Sequence, residues 1–306
     1  MNKPIPLLAG LLGLWLVGTS AWYYQSSCCA TASAVESTIS RNAPVVAPIT
    51  KVTPLAQIDI RDAATFSSTA NDNLSFAPSA HQYSNNISDT LNAVFDNTVT
   101  YLNKNPERSI RLTGSYSTAE TNNSILSTLG LGRANQVKKL LVELGASEEQ
   151  IELADRVTTT ADTVNGLLIN LVTYDFFATP VPDTDRLAAI EKRLRANPLT
   201  LYFETDAQTI ELSQEQRQFF TDLTYYLSKK PTAGIRSTGH TDDRGEALAN
   251  EYLSRKRSEF VRDYLVDNGI QTEQIWVLYE GEEQPIADNE TIEGRATNRR
   301  VEVALR

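Results

Sequence analysis

The stretch GHTDDRGEALANEYLSRKR, residues 239–257, decides the fold of the C-terminal part of this 306-residue chain. Its pattern predicts a strand end, a polar loop and then a long helix that stops at Gly269, a residue type suited to a left-handed helix cap. Asn250 and Arg257 recur at helical spacing on one side of that helix, and Asp242 lies in the loop before it. One loop and one helix face therefore converge, at the kind of place where α/β units bind small ligands.

Strand and helix patterns alternate on both sides of this stretch. Ser213 followed by Gln216 is a capping-box signature, and it predicts a helix that runs to Lys230, where Pro231 ends it. Short apolar runs predict strands at residues 201–203, 233–238, 275–279 and 301–305. The resulting order, β-α-β-α-β-β, predicts an α+β fold in which helices cover one face of a mixed sheet.

The same pattern occurs earlier in the chain. NLSF, SIRLTGSYSTAE and LGRANQVKKLLVELGASEEQI, beginning at residues 73, 109 and 131, resemble TLYF, GIRSTGHTDDRGE and RKRSEFVRDYLVDNGIQTEQI, beginning at residues 200, 234 and 255. Four residues lie 124 positions before their counterparts, namely Arg133, Val137, Gly145 and Ile151 before Arg257, Val261, Gly269 and Ile275. A repeat of this length predicts two tandem domains of the same β-α-β-α-β-β order.

The earlier copy is incomplete. Counted from a Thr-Gly pair that both copies share, Ser117 stands where the later copy has Asp242, although Arg133 is retained. A serine hydroxyl cannot neutralise a ligand ammonium as a carboxylate does, and nothing in the earlier copy resembles Asn250. We therefore interpret residues 57–178 as a degenerate structural or partner-binding module.

The region before the repeats predicts an anchor and a tether. Residues 5–24 contain no charge and are long enough to cross a bilayer as a helix, with Lys3 on the near side and aromatic residues at the far end. A retained anchor is favoured over a signal peptide cleaved near Ala21, and both place the remaining chain outside the cytoplasm. The segments are thus 1–24 (transmembrane helix or signal anchor), 25–56 (flexible linker), 57–178 and 184–306 (domains), the last two separated by the Pro-rich TPVPDTD.

Charge and cysteine content exclude several classes of partner. The net charge of −10 argues against nucleic acid, because phosphate binding needs a basic surface. Cys28 and Cys29 lie outside both domains, so neither domain can contain a disulfide or a cysteine-ligated zinc ion. They could be thiols, an intermolecular bridge or a lipidation site, although Gln25, Ser26 and Ser27 lack the leucine that usually opens a lipoprotein processing site.

Five motifs of the C-terminal segment occur together in a known family. GHTDDRG, Asn250, LSRKR (253–257), GEEQPIADNET (281–291) and GRATNRRVEV (294–303) match, in order and spacing, the domain shared by outer-membrane protein A, peptidoglycan-associated lipoprotein and MotB. The segment therefore resembles the OmpA-like peptidoglycan-binding domain. The resemblance implies non-covalent binding to the diaminopimelate of the stem peptide, whose amino-acid head Asp242 and Arg257 would hold. Thr241 and Asn250 would complete the polar lining, and Asp206 is a further candidate.

Physical chemistry agrees with the implied pair. An ammonium needs an anionic acceptor, and a planar carboxylate suits a guanidinium fork that makes two parallel hydrogen bonds. Taken alone, Asp242 could merely order the turn into the helix, and Arg257 could lie on a solvated helix face. The joint pattern favours binding. We expect Asn298, Arg299 and Arg300 to fix the last strand and its loop, although one of these arginines could border the pocket.

Other functions are less well supported. An enzyme is not expected, since His81 and His240 lack zinc-binding spacing, and no metal or cofactor is predicted. An ion-driven stator needs an acidic group in the membrane, and residues 5–24 contain none. The expected role is a link between a membrane and peptidoglycan in the cell envelope, more consistent with the inner membrane unless Cys28 is lipidated. Residues 57–178 could recruit an envelope protein, or the chain could anchor a larger membrane complex.

Overall fold

The computed structural model describes residues 57–306 except residues 64, 85, 182 and 204–210. They lie within one compact unit, Val52–Arg306. The predicted membrane helix, the tether, both cysteines and the candidate Asp206 fall outside the described residues. Within the described part of the chain, no helix has the length and apolar character needed to cross a membrane.

The first half is built around one long strand. Its elements are β1 (Ile58–Asp62), β2 (Phe66–Ala70), β3 (Ser75–Phe76), α1 (Asp89–Lys104), β4 (Arg108–Tyr116), α2 (Leu129–Glu143), β5 (Ile151–Val157), β6 (Asp162–Val164), β7 (Leu167–Ile169) and β8 (Val172–Ala178). β4 pairs with β5 in parallel and with β8 antiparallel. β1 and β2 form a hairpin, and β3, β7 and β6 form a small separate sheet. Residues 166–177 thus contain β7 and most of β8.

The second half has one four-stranded sheet. Its elements are α3 (Thr184–Ala196), β9 (Leu199–Tyr202), α4 (Gln214–Lys229), β10 (Ile235–Gly239), α5 (Ala247–Asp267), β11 (Ile275–Tyr279), α6 (Ile292–Asn298) and β12 (Arg300–Leu305). The strand order is β11-β10-β12-β9, with β10 parallel to β11 and antiparallel to β12. This is the mixed sheet that the sequence predicted.

Local sequence signals account for most boundaries of the second half. The Ser213 hydroxyl accepts from the Gln216 backbone N–H and the Gln216 side chain accepts from the Ser213 N–H, so the predicted capping box starts α4. α5 ends before Gly269, whose φ of +87° is the left-handed conformation that glycine adopts without strain. Two helices were not predicted. α3 begins at an Asp183 cap inside the Pro-rich segment that separates the two predicted domains, and α6 is too short to produce a clear periodic pattern.

The helices cover one face of the second sheet. Ile235 and Ser237 of β10 face inward and are buried, whereas Arg236 on the same strand is exposed. Phe220 of α4 and Val261 of α5 are fully buried in the core under this face. The opposite face of the sheet carries polar side chains such as Thr238 and Glu302 together with the exposed Tyr202, Trp276 and Leu278.

The two halves show corresponding local structure. In each, a central strand is followed by a helix, a short 3-10 helix and a parallel strand, and the 3-10 helices span Glu148–Gln150 and Thr272–Gln274. Gly145 has a φ of +98°, close to the +87° of Gly269. Both central strands also carry, at or near their ends, a glycine that lies against the following helix. A Cβ added at Gly114 would come within 1.9 Å of the Gly130 carbonyl oxygen, and one added at Gly239 within 2.0 Å of the Ser254 carbonyl oxygen.

The halves pack against each other. The Asn135 side-chain amide of α2 donates to the Asn268 carbonyl at 2.6 Å, and the Ser127 N–H donates to the Thr221 hydroxyl of α4 at 2.9 Å. Ile125 and Leu126, from the loop before α2, are buried in the core of the second half. The first half therefore contributes side chains to the core that supports the second sheet.

Candidate ligand-binding site

Close packing of β10 on α5 positions the candidate site. Because Gly239 has no Cβ, the end of β10 can lie directly against the Ser254 carbonyl of the helix. This contact brings the loop after β10, which contains Asp242, beside the helix turn that carries Arg257. The predicted convergence of one loop and one helix face is therefore present in the structure.

Arg257 is anchored at one nitrogen and open at the others. Its Nη1 donates to the His240 carbonyl at 3.0 Å, while its Nε and Nη2 have no hydrogen-bond partner among the described residues. Burial lowers the pKa of Arg257, the nearby Arg299 lowers it further, and Asp242 raises it. Since a guanidinium stays protonated in proteins, Arg257 presents a partly desolvated positive charge with donors to spare.

Asp242 forms an ion pair that the sequence analysis did not assign. Its Oδ2 accepts from Arg299 Nη1 at 2.9 Å, and both side chains are largely buried. Its Oδ1 accepts from the Arg244 backbone N–H at 3.3 Å. Asp242 therefore also orders the turn into the helix, which was the alternative role that the sequence left open. Arg257 and Arg299 together outweigh the one carboxylate. The free donors of Arg257 suit a ligand with a carboxylate.

The other predicted lining residues behave differently. Thr241 is 2% exposed, its N–H donates to the Gly281 carbonyl at 2.8 Å, and its hydroxyl has no partner among the described residues. Asn250 is buried, and its amide donates to the Glu282 carboxylate. Asn250 therefore holds the loop after β11 in place. Asp206 lies outside the described residues.

Asn298, Arg299 and Arg300, where α6 passes into β12, have different hydrogen-bond partners. Asn298 fixes the preceding loop, accepting from the Ile286 and Ala287 N–H groups at 2.9 and 3.0 Å, and Arg300 donates to the Gln284 carbonyl at 3.1 Å, so the predicted structural role is confirmed for both. Arg299 instead reaches Asp242. Strand alternation offered a signal for the contact between Arg299 and Asp242. Adjacent residues at the start of a strand point to opposite faces of the sheet, so one of the two arginines had to face the loop after β10.

An arginine in a similar position of the first half has a carboxylate of the chain itself as its partner. Arg133 is completely buried, and its Nη1 donates to the Ser115 carbonyl at 2.8 Å, just as Arg257 donates to the His240 carbonyl at its own strand end. Its guanidinium forks onto the carboxylate of Glu120, with Nη2 to Oε1 at 2.6 Å and Nη1 to Oε2 at 3.1 Å. The Ser79 and Ser117 N–H groups donate to the same carboxylate at 3.0 and 2.9 Å.

The Glu120 carboxylate is held in its charged form. Burial by itself would raise the pKa of Glu120, but hydrogen bonds from Arg133 and from the two backbone N–H groups outweigh burial and leave the pKa below its ordinary value. The guanidinium of Arg133 is thus paired with a carboxylate of the chain itself, whereas the guanidinium of Arg257 in the second half has free donors.

Fold and site together describe an α+β domain with a candidate ligand-binding site at the end of its central strand. Residues 202–299 match the model of the OmpA family, so the chain contains an OmpA family domain. The chain is 37% identical over 84 residues to outer membrane porin F of Pseudomonas fluorescens, covering 28% of this chain and 26% of the porin. It is 36% identical over 104 residues to outer membrane protein A of Bordetella avium, covering 34% and 53%.

Two further relatives extend the comparison. Peptidoglycan-binding protein ArfA of Mycobacterium bovis is 43% identical over 79 residues, covering 26% of this chain and 24% of ArfA. The crystal structure of the peptidoglycan-associated lipoprotein from Burkholderia pseudomallei is 28% identical, covering 36% of this chain and 92% of that one at a TM-score of 0.32. The chain thus spans about a quarter to a half of the length of the curated relatives named here. Their names are those of structural and binding proteins, which confirms the prediction of a domain that is not an enzyme.

Proposed function

We propose that residues 184–306 bind peptidoglycan without cleaving it, by holding the diaminopimelate of the stem peptide between Arg257 and Asp242. The observation that carries the proposal is the open fork of Arg257, which lies partly desolvated beside Asp242. The OmpA family match and the binding described by the name of the relative ArfA support it.

The first half of the chain shows how an arginine in this position can bind a carboxylate. Glu120 lies in the fork of Arg133 with two parallel hydrogen bonds, and Arg133 is anchored to its strand end in the same way as Arg257. A ligand carboxylate bound to the free Nε and Nη2 of Arg257 would make the same kind of two-point contact, although Glu120 binds the other edge of its guanidinium, through Nη1 and Nη2 of Arg133. The ligand ammonium would then pair with Asp242, which Arg299 holds in position.

The remaining segments extend the proposal to the whole chain. Residues 57–178 are proposed to be a degenerate OmpA-like copy, supported by the matched strand order, the matched glycine conformations and the internal carboxylate on Arg133. With the predicted helix at residues 5–24 and the tether at 25–56, the chain would link a membrane of the cell envelope to the wall. The charge flanking the predicted helix favours the inner membrane.

Comparison of two wall chemistries tests the proposed ligand. Lysine carries the ammonium of the diaminopimelate side chain but lacks its carboxylate, so it cannot engage the fork of Arg257. We expect the full-length chain to co-sediment with diaminopimelate-type sacculi and to bind lysine-type sacculi at least about 30-fold more weakly, the factor that corresponds to about 2 kcal/mol for an unpaired, desolvated charge. Equal retention on both kinds of sacculi would contradict the assignment of diaminopimelate.

Arg299 gives a second, smaller effect. Arg299→Gln removes one positive charge from the site and the partner that orients Asp242, so sacculus binding should fall about 3- to 10-fold without being abolished. Co-sedimentation at a series of protein concentrations measures the change. Tighter binding by this variant would mean that Arg299 competes with the ligand ammonium for Asp242.

A further inference from the structure

A second cavity lies on the outer face of the sheet, across the strands from the site just described. It has a volume of about 420 Å³, and its floor consists of side chains from β10, the residue after it, and β12, namely Thr238, His240, Arg300 and Glu302. One wall is the loop that follows β11, with Gln284, Pro285 and Ile286. The volume falls in the range of small-molecule sites.

Two buried polar side chains in this cavity, those of His240 and Arg300, have nitrogen atoms without a hydrogen-bond partner among the described residues. His240 is 4% exposed, and neither of its ring nitrogens has a hydrogen-bond partner among the described residues. Arg300 is 2% exposed, and its Nη1 is likewise without a partner in the described part of the chain. Because an unsatisfied buried polar group costs free energy, both side chains call for an external partner.

The charges of the cavity cancel. Arg300 is neutralised by Glu302, whose Oε1 accepts from its Nε at 2.8 Å. Burial lowers the pKa of His240 and Arg300 lowers it further, against an opposing effect of Glu302, so His240 is a neutral ring with one donor and one acceptor. At the rim, Arg236 and Glu280 carry opposite charges. A net-charged ligand would therefore gain little here.

The hydrogen-bonding groups of the cavity are mixed, and one side is apolar. Arg300 offers a donor, His240 a donor and an acceptor, and Glu302 an acceptor. Leu278 and Ile286, both exposed, line the cavity with Pro285 as an apolar flank. A pyranose fits this set, since its hydroxyls both donate and accept and its ring has an apolar face.

We infer that this cavity is a binding site for a neutral, hydroxyl-bearing sugar unit, with His240, Arg300 and Glu302 as the polar contacts. The polar groups of this cavity would bind a sugar whether or not diaminopimelate binds between Arg257 and Asp242. The identification of the sugar as part of the wall glycan rests on the proposed function. His240 is two residues from Asp242 and Arg300 adjoins Arg299, so the glycan of a wall polymer bound at the first site would lie near this cavity. A free oligosaccharide has the same chemistry, and the test separates the two.

Titration of the full-length chain with the tetramer of N-acetylglucosamine, followed by calorimetry or NMR, tests the site. Wild type should bind at millimolar ligand or below, and His240→Phe, which keeps a ring but removes both nitrogens, should weaken binding about tenfold. Ile286→Asp, an exposed change on the apolar flank, should also weaken binding and guards against a folding defect in the first variant. His81→Phe is the matched control, because this half-buried histidine of the first half also has a buried, unpartnered Nε2 but lies outside the cavity.

Two further arms separate the outcomes. Arg257→Ala should lose sacculus binding and keep the tetramer, so failure of the wall proposal and failure of this inference are distinguishable. Peptide-free glycan strands that compete with the tetramer would identify the wall glycan as the source, and tetramer binding without such competition would indicate a free oligosaccharide. Absence of tetramer binding by wild type, or equal binding by wild type, His240→Phe and Ile286→Asp, would overturn the inference.

Discussion

Arg257→Ala is expected to abolish retention of the full-length chain on diaminopimelate-type sacculi, and Asp242→Asn is expected to weaken it severely. Arg257 provides the open guanidinium fork, and Asp242 provides the carboxylate that neutralises the ligand ammonium. Removing one partner of a desolvated, hydrogen-bonded charge pair costs about 2 to 5 kcal/mol, which is at least about a 30-fold loss of affinity. Co-sedimentation over a range of protein concentrations would measure both losses.

Arg257→Lys tests whether Arg257 binds the ligand carboxylate through two parallel hydrogen bonds. Lysine keeps the positive charge but cannot form two parallel hydrogen bonds with a carboxylate. If the fork matters, Arg257→Lys should bind nearly as poorly as Arg257→Ala. If only charge matters, the lysine variant should recover most of the affinity, and the bidentate contact would be wrong.

Control variants come from the same helix and from the first half. Arg255→Ala removes an exposed arginine of α5 that pairs with Glu259, so it should leave sacculus binding unchanged. Ser117→Ala alters the position that corresponds to Asp242 in the first half and should likewise have no effect. Circular dichroism and thermal unfolding of each variant would show that the domain remains folded, and wild-type retention by Arg257→Ala would remove the central claim.

The sequence predicted those parts of the site that depend on local pattern. Helical spacing predicted that Asn250 and Arg257 lie on one side of α5, whereas the pairing of Arg257 with Asp242 of the preceding loop was implied by the family resemblance. The Ser213 capping box and the Gly269 cap also depend on neighbouring residues, and both were predicted at the correct positions. The mixed sheet followed from the order of these elements.

The remaining features depend on contacts between distant segments. Arg299 reaches Asp242 across 57 positions of sequence, and the period of β12 could show only that one arginine faces that way. Asn250 looked like a lining residue because it shares a helix face with Arg257, but its partner Glu282 lies on the loop after β11. Glu120 lies in a polar stretch without periodicity, so no pattern could show that it enters the fork of Arg133.

Glu120→Ala is expected to destabilise the first half strongly, although the exchange lies far from the proposed wall contact. It removes the carboxylate that accepts two hydrogen bonds from the fully buried Arg133 and two more from the Ser79 and Ser117 N–H groups. Breaking a buried ion pair by removing one partner leaves an uncompensated buried charge, which costs about 3 to 5 kcal/mol. Urea unfolding of the full-length chain, monitored by far-ultraviolet circular dichroism, would measure the loss.

The pH dependence of stability should also reveal the contribution of the Glu120 carboxylate. Because the folded pKa of Glu120 lies below its ordinary value of 4.5, its ionised form contributes stability that is fully present above pH 4.5 and is lost as the pH falls through the folded pKa. The stability difference between wild type and Glu120→Gln should therefore be largest near neutral pH and shrink as the pH drops below about 4.5. A difference that stayed constant down to strongly acidic pH would show that the charge of Glu120 contributes nothing.

A surface ion pair of the same half provides the comparison. Glu152 pairs with Arg111 at 3.1 Å, but both side chains are substantially exposed, so Glu152→Ala should cost no more than about 1 kcal/mol. Formate at high concentration should restore part of the stability of Glu120→Ala and none of that of Glu152→Ala, because only the first variant leaves a buried arginine fork open to a small carboxylate. Rescue would show that the arginine position binds an added carboxylate once the internal one is removed. A loss of stability in Glu120→Ala as small as that of Glu152→Ala would instead mean that Glu120 is an ordinary surface partner and that the first half lost its ligand contact for another reason.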